Sequence, residues 1–194
     1  VNDASDDVIT IVYKAVGKGT ELLASLAEGE KLQVLTDLGN GFNLSLCGSK
    51  PLLVCGGIGA APMYYVAKKL IAEGGKPEVV IGFNKADEIY YVDEFRALGC
   101  TVTVATADGS VGVKGFVTDA MRNLDYDYIY TCGPEPMLKA VFRASKTSGQ
   151  FSFEERMGCG FGACMGCSCQ TVTGFKRICR DGPVLKKEEI LWEK

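Results

Sequence analysis

The residues best equipped for chemistry are cysteines. The chain has nine, and five of them fall between Cys159 and Cys179. The segment reads Cys159-Gly-Phe-Gly-Ala-Cys164-Met-Gly-Cys167-Ser-Cys169, with Cys179 following. Cys159, Cys164, Cys167 and Cys179 make the spacing C-x4-C-x2-C-x11-C. The first three match the plant-type pattern of a 2Fe–2S cluster, whose fourth ligand usually lies further on. A loop that wraps such a cluster must bring its sulfurs to a compact centre and turn amide N–H groups toward them. Gly158, Gly160, Gly162 and Gly166 permit the backbone conformations and close approach this requires. Structural zinc and free buried thiols are the competing readings. Zinc would more naturally use two Cys-x2-Cys pairs, and only Cys164 and Cys167 form a clean one. Cys169 lies outside the regular spacing and is taken as a bystander.

A second chemical signal is the turn Cys55-Gly56-Gly57-Ile58-Gly59-Ala60-Ala61-Pro62, placed between an apolar run and an amphipathic one. Glycines between strand and helix expose N–H groups at a helix start, where a pyrophosphate can bind. The spacing is not the usual G-x-G-x-x-G, and a turn that merely packs tightly would also use glycine. A further strand-to-helix passage, Thr131-Cys132-Gly133-Pro134-Glu135-Pro136-Met137, belongs at the same edge of an open parallel sheet. That edge is where such sheets bind ligands. Gly82-Phe83-Asn84-Lys85 ends another strand without an acid to hold a ribose diol, and Lys85 alone is weak support for a 2′-phosphate. Tyr64, Tyr65, Tyr90 and Tyr91 read as packing residues.

The elements that must position these residues show a regular rhythm. Strands are expected at 51–56, 78–83, 101–106 and 127–132, their starts separated by 27, 23 and 26 residues. Each interval has room for a crossover helix. Met63, Val66, Ala67, Leu70 and Ile71 follow helical spacing, with Pro62 in the first turn, Lys68 and Lys69 in the last, and Gly74-Gly75 as the stop. Helices also fit YVDEFRAL, FVTDAMRNL and PEPMLKAVFRASK. The repeat predicts an α/β fold with a parallel sheet covered on both faces.

The flanks differ. In residues 1–46, VITIVYKAV (8–16) and KLQVL (31–35) read as strands, Thr20 as a cap for the helix LLASLA, and LGNGF as a turn. Two strands and a short helix cannot close a core, so this region is expected to be the end of a β-domain. The chain opens on Val1 rather than Met, and its start is expected to be missing. Residues 151–194 are loop-rich and poor in aliphatic side chains up to Ile178, a composition that needs a metal or cross-links. The final KKEEILWEK is expected to dock as a helix or strand.

Composition excludes much. The chain has 21 Lys+Arg against 24 Asp+Glu, a net charge of −3, so nothing drives it toward nucleic acid or anionic lipid. It has no His, which removes Ser-His-Asp hydrolysis and His-ligated zinc or haem. No apolar run approaches the ~18–20 residues of a membrane helix. Clustered thiols without a signal peptide suggest a reducing, cytoplasmic setting.

Taken in order, VYKAVGKGT, GGIGAAPM, CGPEPM and EERMGCGFGACMGCSC with RICRDGPV resemble the ferredoxin reductase-like superfamily. Within it, they resemble the electron-transfer subunits of dihydroorotate dehydrogenase B, over essentially the whole chain. The resemblance implies an FAD-binding antiparallel β-barrel, present here only in its last part (1–46), an NAD-binding α/β domain (47–150) and a small C-terminal 2Fe–2S domain (151–194). It places FAD along Val12, Tyr13 and Lys14 and at Gly19 and Thr20; the family's Arg-x-x-Ser motif would precede Val1. NAD is placed at Gly56, Gly57, Gly59, Cys132, Gly133 and Pro134, with Cys132 near the nicotinamide. It implies a partner, an FMN-containing dihydroorotate dehydrogenase catalytic subunit, in a heterotetramer. Electrons would pass from that FMN through 2Fe–2S and FAD to NAD+. Reductase subunits of hydrogenases or of ferredoxin:NADP systems share the same domains, and a zinc-stabilised nucleotide-binding module is the alternative of another class.

Overall fold

The structure, a computed structural model, describes residues 3–4 and 8–192. Parts of the polar opening segment and the last two residues of KKEEILWEK lie outside the described residues.

The N-terminal region is sparsely ordered into regular elements. Strands β1 (Asp3–Ala4) and β2 (Ile9–Thr10) pair antiparallel, and they are all of the expected barrel that the described residues form. The strand expected over 8–16 shrinks to Ile9–Thr10, and no strand forms over 31–35. Among the described residues no further strand lies alongside to pair with their N–H and C=O groups, and a strand without neighbours is not stable. Their apolar side chains face solvent, with Val16, Val34 and Leu35 each about two-thirds or more exposed (76%, 67% and 68%). Helix α1 (Lys18–Ser25) begins two residues before Thr20. Thr20 therefore acts from inside the first turn: its hydroxyl oxygen accepts from the amides of Val16 (2.9 Å) and Gly17 (3.2 Å).

From residue 51 the expected rhythm is met. Strands β3 (Pro51–Gly56), β4 (Glu78–Phe83) and β5 (Thr101–Thr106) occupy the expected spans. They are followed by the two-residue β6 (Val113–Lys114) and by β7 (Tyr128–Cys132). Helices α2 (Ala60–Ala72), α3 (Val92–Ala97), α4 (Val117–Ala120) and α5 (Glu135–Ala144) connect them. α4 is shorter than FVTDAMRNL suggested. Gly74, at φ +84°, ends the turn after α2, and the amide of Gly75 returns to the Leu70 carbonyl at 2.8 Å.

Side chains alternate across the strands as a sheet covered on both faces demands. Leu53, Cys55, Val79, Ile81 and Tyr130 pack under α2 and α3, with Met63, Val66, Leu70 and Phe95. Leu52, Val54, Val80 and Ile129 pack under α4 and α5, with Met121, Leu138 and Phe142.

The chain beyond 148 does not form a separate layer. β8 (Gly149–Ser152) joins β7 in parallel, and β11 (Val184–Lys186) pairs antiparallel with β8. The order is β11-β8-β7-β3-β4-β5-β6. The boundary drawn at 150 thus falls inside a strand, and the sheet runs on across it. Between β8 and β11 lie the cysteine loop and the hairpin β9 (Ser168–Thr171)–β10 (Gly174–Arg177). The end of the chain docks through Trp192, whose ring lies 5.1 Å from Phe153 and 5.6 Å from Phe142.

β4 and β5 extend the sheet to one side of β3, and β7 then returns to its other side. The crevice of a doubly wound sheet opens at that reversal, between the carboxyl ends of β3 and β7. No described helix is long and apolar enough to cross a membrane.

Candidate functional site

At the reversal two backbone turns meet. The β3–α2 turn carries Gly56, Gly57 and Gly59, and the β7–α5 turn carries Cys132, Gly133 and Pro134. Three of the glycines are there because the turns touch. A Cβ at Gly59 would lie on the Cys132 carbonyl, one at Gly56 would meet the Met137 sulfur at 2.6 Å, and one at Gly133 would sit 3.1 Å from the Gly56 nitrogen. Gly57 is different. Its φ is +51°, and nothing lies within 4 Å of the place its Cβ would take. Open space over a left-handed residue at the head of α2 suits a pyrophosphate, which helix N-termini and their free amides attract. Tyr90 does more than pack: its hydroxyl donates to the Gly57 carbonyl at 2.7 Å and holds the turn.

The turn borders a cavity of about 460 Å³. Its other walls come from the end of β4 (Phe83, Asn84, Glu88) and from Phe116 to Thr118 at the start of α4. The sequence marked Phe83 and Asn84 as a strand end but did not point to Glu88 or Phe116. Glu88 is six residues beyond the last strand residue but one, and only the short turn Ala86–Glu88 swings it back to the strand end.

Cys132 sits under this edge, where burial pushes its thiol up to about 11; Cys55, beside it in register on β3, is pushed well up for the same reason. Both are neutral thiols at neutral pH, so neither is a ready nucleophile.

The cysteine loop joins the sheet through a cavity of about 320 Å³ lined by Gly133 and Glu135 on one side and Phe153 to Arg156 on the other. Beyond it the four expected ligand sulfurs fall into two pairs. Cys159 faces Cys164, and Cys167 faces Cys179. The inner pair is buried against α5 and its neighbours, at 2% and 6% exposure, while Cys164 is exposed.

Amides point at the sulfurs. Ala163 and Cys164 donate to Cys159 at 3.2 and 3.5 Å, Gly166 donates to Cys164 at 3.4 Å, and Cys179 donates to Cys167 at 3.4 Å. The amides of Cys164 and Phe161 hold the Cys159 thiol down to about 6, and the amide of Cys179 lowers Cys167. Burial raises Cys179. Gly160 and Gly162, at φ +78° and +89°, turn the loop. So does Met165 at φ +60°, a non-glycine in the left-handed region.

This arrangement fits a two-iron cluster, which takes two thiolates on each iron. Cys169 stands apart on β9, its sulfur near the Gln170 carbonyl.

Two contacts fix the loop from outside. Arg177 donates to the Gly162 carbonyl and to Asp181, both at 3.0 Å. Asn40, in the turn expected at LGNGF, donates its amide to the Gly182 carbonyl at 2.6 Å and its side chain to the Arg180 carbonyl at 3.1 Å. Both lie in segments the sequence marked, LGNGF and RICRDGPV, but neither was given a role there.

The flavin positions are less organised. Val12, Tyr13 and Lys14 lie in irregular backbone, with Tyr13 and Lys14 exposed. Gly19 and Thr20 lie in the first turn of α1, and a Cβ at Gly17 or Gly19 would meet nothing within 4 Å. The open space leaves room for a phosphate chain along this turn.

The comparisons with known proteins name a domain for the sheet region and one for the cysteine loop. Residues 154–191 match the iron–sulfur cluster binding domain of dihydroorotate dehydrogenase B, and residues 53–143 match an oxidoreductase NAD-binding domain. The dihydroorotate dehydrogenase B (NAD(+)) electron transfer subunit of Fusobacterium nucleatum is 43% identical over 97% of this chain and 76% of its own length. That of Bacillus velezensis is 46% identical over 98% of this chain and 77% of its own length. Among solved structures, an NADH-dependent reduced ferredoxin-NADP oxidoreductase superposes with a TM-score of 0.81 at 34% identity, covering 93% of this chain and 67% of that one. With its parallel sheet and paired cysteine sulfurs, the chain belongs to the family of dihydroorotate dehydrogenase B electron-transfer subunits.

Proposed function

We propose that this chain carries electrons between the FMN of a dihydroorotate dehydrogenase catalytic subunit and NAD+, as the pyrimidine-forming oxidation of dihydroorotate to orotate requires. The observation that carries the reading is the set of two sulfur pairs joined to the nucleotide edge of one sheet. When bound, the cluster supplies one-electron transfer and the flavin couples it to hydride transfer with nicotinamide. The protein's own residues do the rest. Cys159, Cys164, Cys167 and Cys179 hold the cluster, and the amides of Ala163, Cys164, Gly166 and Cys179 stabilise negative charge on its sulfurs. Gly57 and the head of α2 receive the dinucleotide pyrophosphate, close packing at Gly56, Gly59 and Gly133 keeps side chains out of its path, and Cys132 and Pro134 lie toward the nicotinamide. Val12, Tyr13, Lys14, Gly19 and Thr20 line the flavin's phosphate and ribityl chain. The division at 46/47 follows these cofactors, and the cluster region beyond 150 shares its sheet with the nucleotide region through β8 and β11.

The partner is the FMN-containing catalytic subunit, in a heterotetramer. Around the outer sulfurs stand Met157, Phe161 and Met165, each more than half exposed (62%, 57% and 52%). An apolar rim beside the exposed Cys164 suits a partner that must approach the cluster closely. Thiolates in such numbers persist in the reducing cytoplasm, where we place the protein.

The test is a visible spectrum recorded anaerobically before and after NADH. Flavin and iron–sulfur bands that bleach support the reading, and a colourless, zinc-loaded protein overturns it. Orotate should form only when the FMN subunit is added, with Met157→Glu and Phe161→Glu weakening that complex in sedimentation. Orotate formed by this chain alone would contradict the assigned role.

A further inference from the structure

The cavity beyond Gly57 supports a more specific assignment, which rests on the dinucleotide reading above. Gly56 and Gly57 border it at one end and the turn after β4 at the other. A pyrophosphate at Gly57 would direct the adenosine half toward the end of β4, because that strand neighbours β3 on the side away from β7. There Phe116 offers a ring that is 69% exposed, and Glu88 is the only charged residue lining the cavity.

The Glu88 carboxylate is oriented. The Asn84 amide and side-chain nitrogen donate to its Oε2 at 3.3 and 2.9 Å. Among the described residues Oε1 has no donor, so it is available to a hydroxyl. Lys85, three residues before Glu88, is paired with Asp87 at 2.7 Å. A carboxylate accepts hydrogen bonds from a ribose diol and repels a phosphate; a cation does the opposite.

We propose that Glu88 selects NAD over NADP by accepting from the adenosine 2′-hydroxyl and repelling a 2′-phosphate, with Phe116 as the adenine platform. Sequence alone hides this acid, because it follows the strand end by several residues rather than standing at it.

The experiment uses the full chain with its cluster and titrates ADP-ribose and 2′-phospho-ADP-ribose by calorimetry, so binding is read without turnover. The unaltered chain should bind ADP-ribose at least about tenfold more tightly, the size expected for a lost charged hydrogen bond. Glu88→Gln should reduce that preference about tenfold, mainly through weaker ADP-ribose binding. Glu88→Lys should reverse it. Both substitutions sit on an exposed turn, and unchanged cluster absorbance shows that each variant is folded. If the unaltered chain binds neither ligand, the dinucleotide reading itself fails and this assignment with it. If the unaltered chain discriminates and both variants discriminate equally well, the dinucleotide reading stands and the assignment to Glu88 is wrong.

Discussion

The nucleotide edge and the cysteine loop both rely on glycine and backbone amides, but they are held differently. At the edge, Gly56, Gly59 and Gly133 let two turns press together over a core in which Leu53, Cys55, Met63 and Tyr130 are essentially inaccessible. The shape there follows from packing, which fixes it before any ligand arrives. In the loop, Gly160 and Gly162 supply left-handed turns, while the outer residues Phe161, Cys164 and Met165 pack on little. What converges there is sulfur and the N–H groups aimed at it. An edge made by packing should survive without its ligand, and a loop made around thiolates should depend on the metal.

The largest expected effect tests the loop. Replacing Cys159, Cys164, Cys167 or Cys179 by Ser should each remove nearly all cluster iron, measured by metal analysis and visible absorbance. Full iron in any one variant would break the ligand set. Iron removal from the unaltered chain should then raise hydrogen exchange across 158–182 and leave β3, β4 and β7 protected. Equal loss of protection in both regions would erase the distinction between them.

The edge is tested by Gly59→Ala. The new Cβ would fall on the Cys132 carbonyl, which is backbone and cannot turn aside. Overpacking of this kind costs about 1–3 kcal/mol. Denaturant unfolding should show that loss, and dinucleotide binding should weaken while the cluster spectrum stays intact. A stable variant with unaltered binding would mean the two turns do not need to touch.

The same contrast explains what could be read in the sequence. The strands at 51–56 and 78–83 were legible to the residue because they are largely buried and read as apolar runs. The one at 101–106 was legible because Thr and Val alternate in a β-branched run whose second half is buried. VITIVYKAV carries the same β-branched composition yet forms only a two-residue strand, because propensity does not supply a neighbour to pair with. The cluster cysteines were legible through spacing, since a loop around a cluster constrains local sequence. Glu88, Phe116, Asn40 and Arg177 were not. Each acts by a contact that exists only once distant segments meet, as when Asn40 reaches residues 180–182. β8 was hidden because Gly-Gln-Phe-Ser is short and mixed, and it is the sheet edge beside β7 that makes it a strand.

A smaller effect is expected at the loop's outer support. Arg177→Met removes the donors to the Gly162 carbonyl and to Asp181 while keeping the apolar stem. The cluster should still assemble, since no sulfur is lost, but bleach at a lower temperature in a thermal scan of visible absorbance. An unchanged bleaching temperature would show that the sulfurs alone hold the loop.

The smallest effect separates ligand from neighbour. Cys169 lies two residues from Cys167, yet it belongs to β9, where Lys176 pairs opposite it and burial raises its thiol. Strand pairing holds its backbone away from the course of the loop, and its sulfur lies toward the Gln170 carbonyl rather than toward either sulfur pair. Cys169→Ser should therefore leave iron content, absorbance and thermal bleaching as they are. Loss of iron in this variant would move the fifth cysteine into the ligand set and would show that the hairpin, like the loop before it, takes its final shape only around the metal.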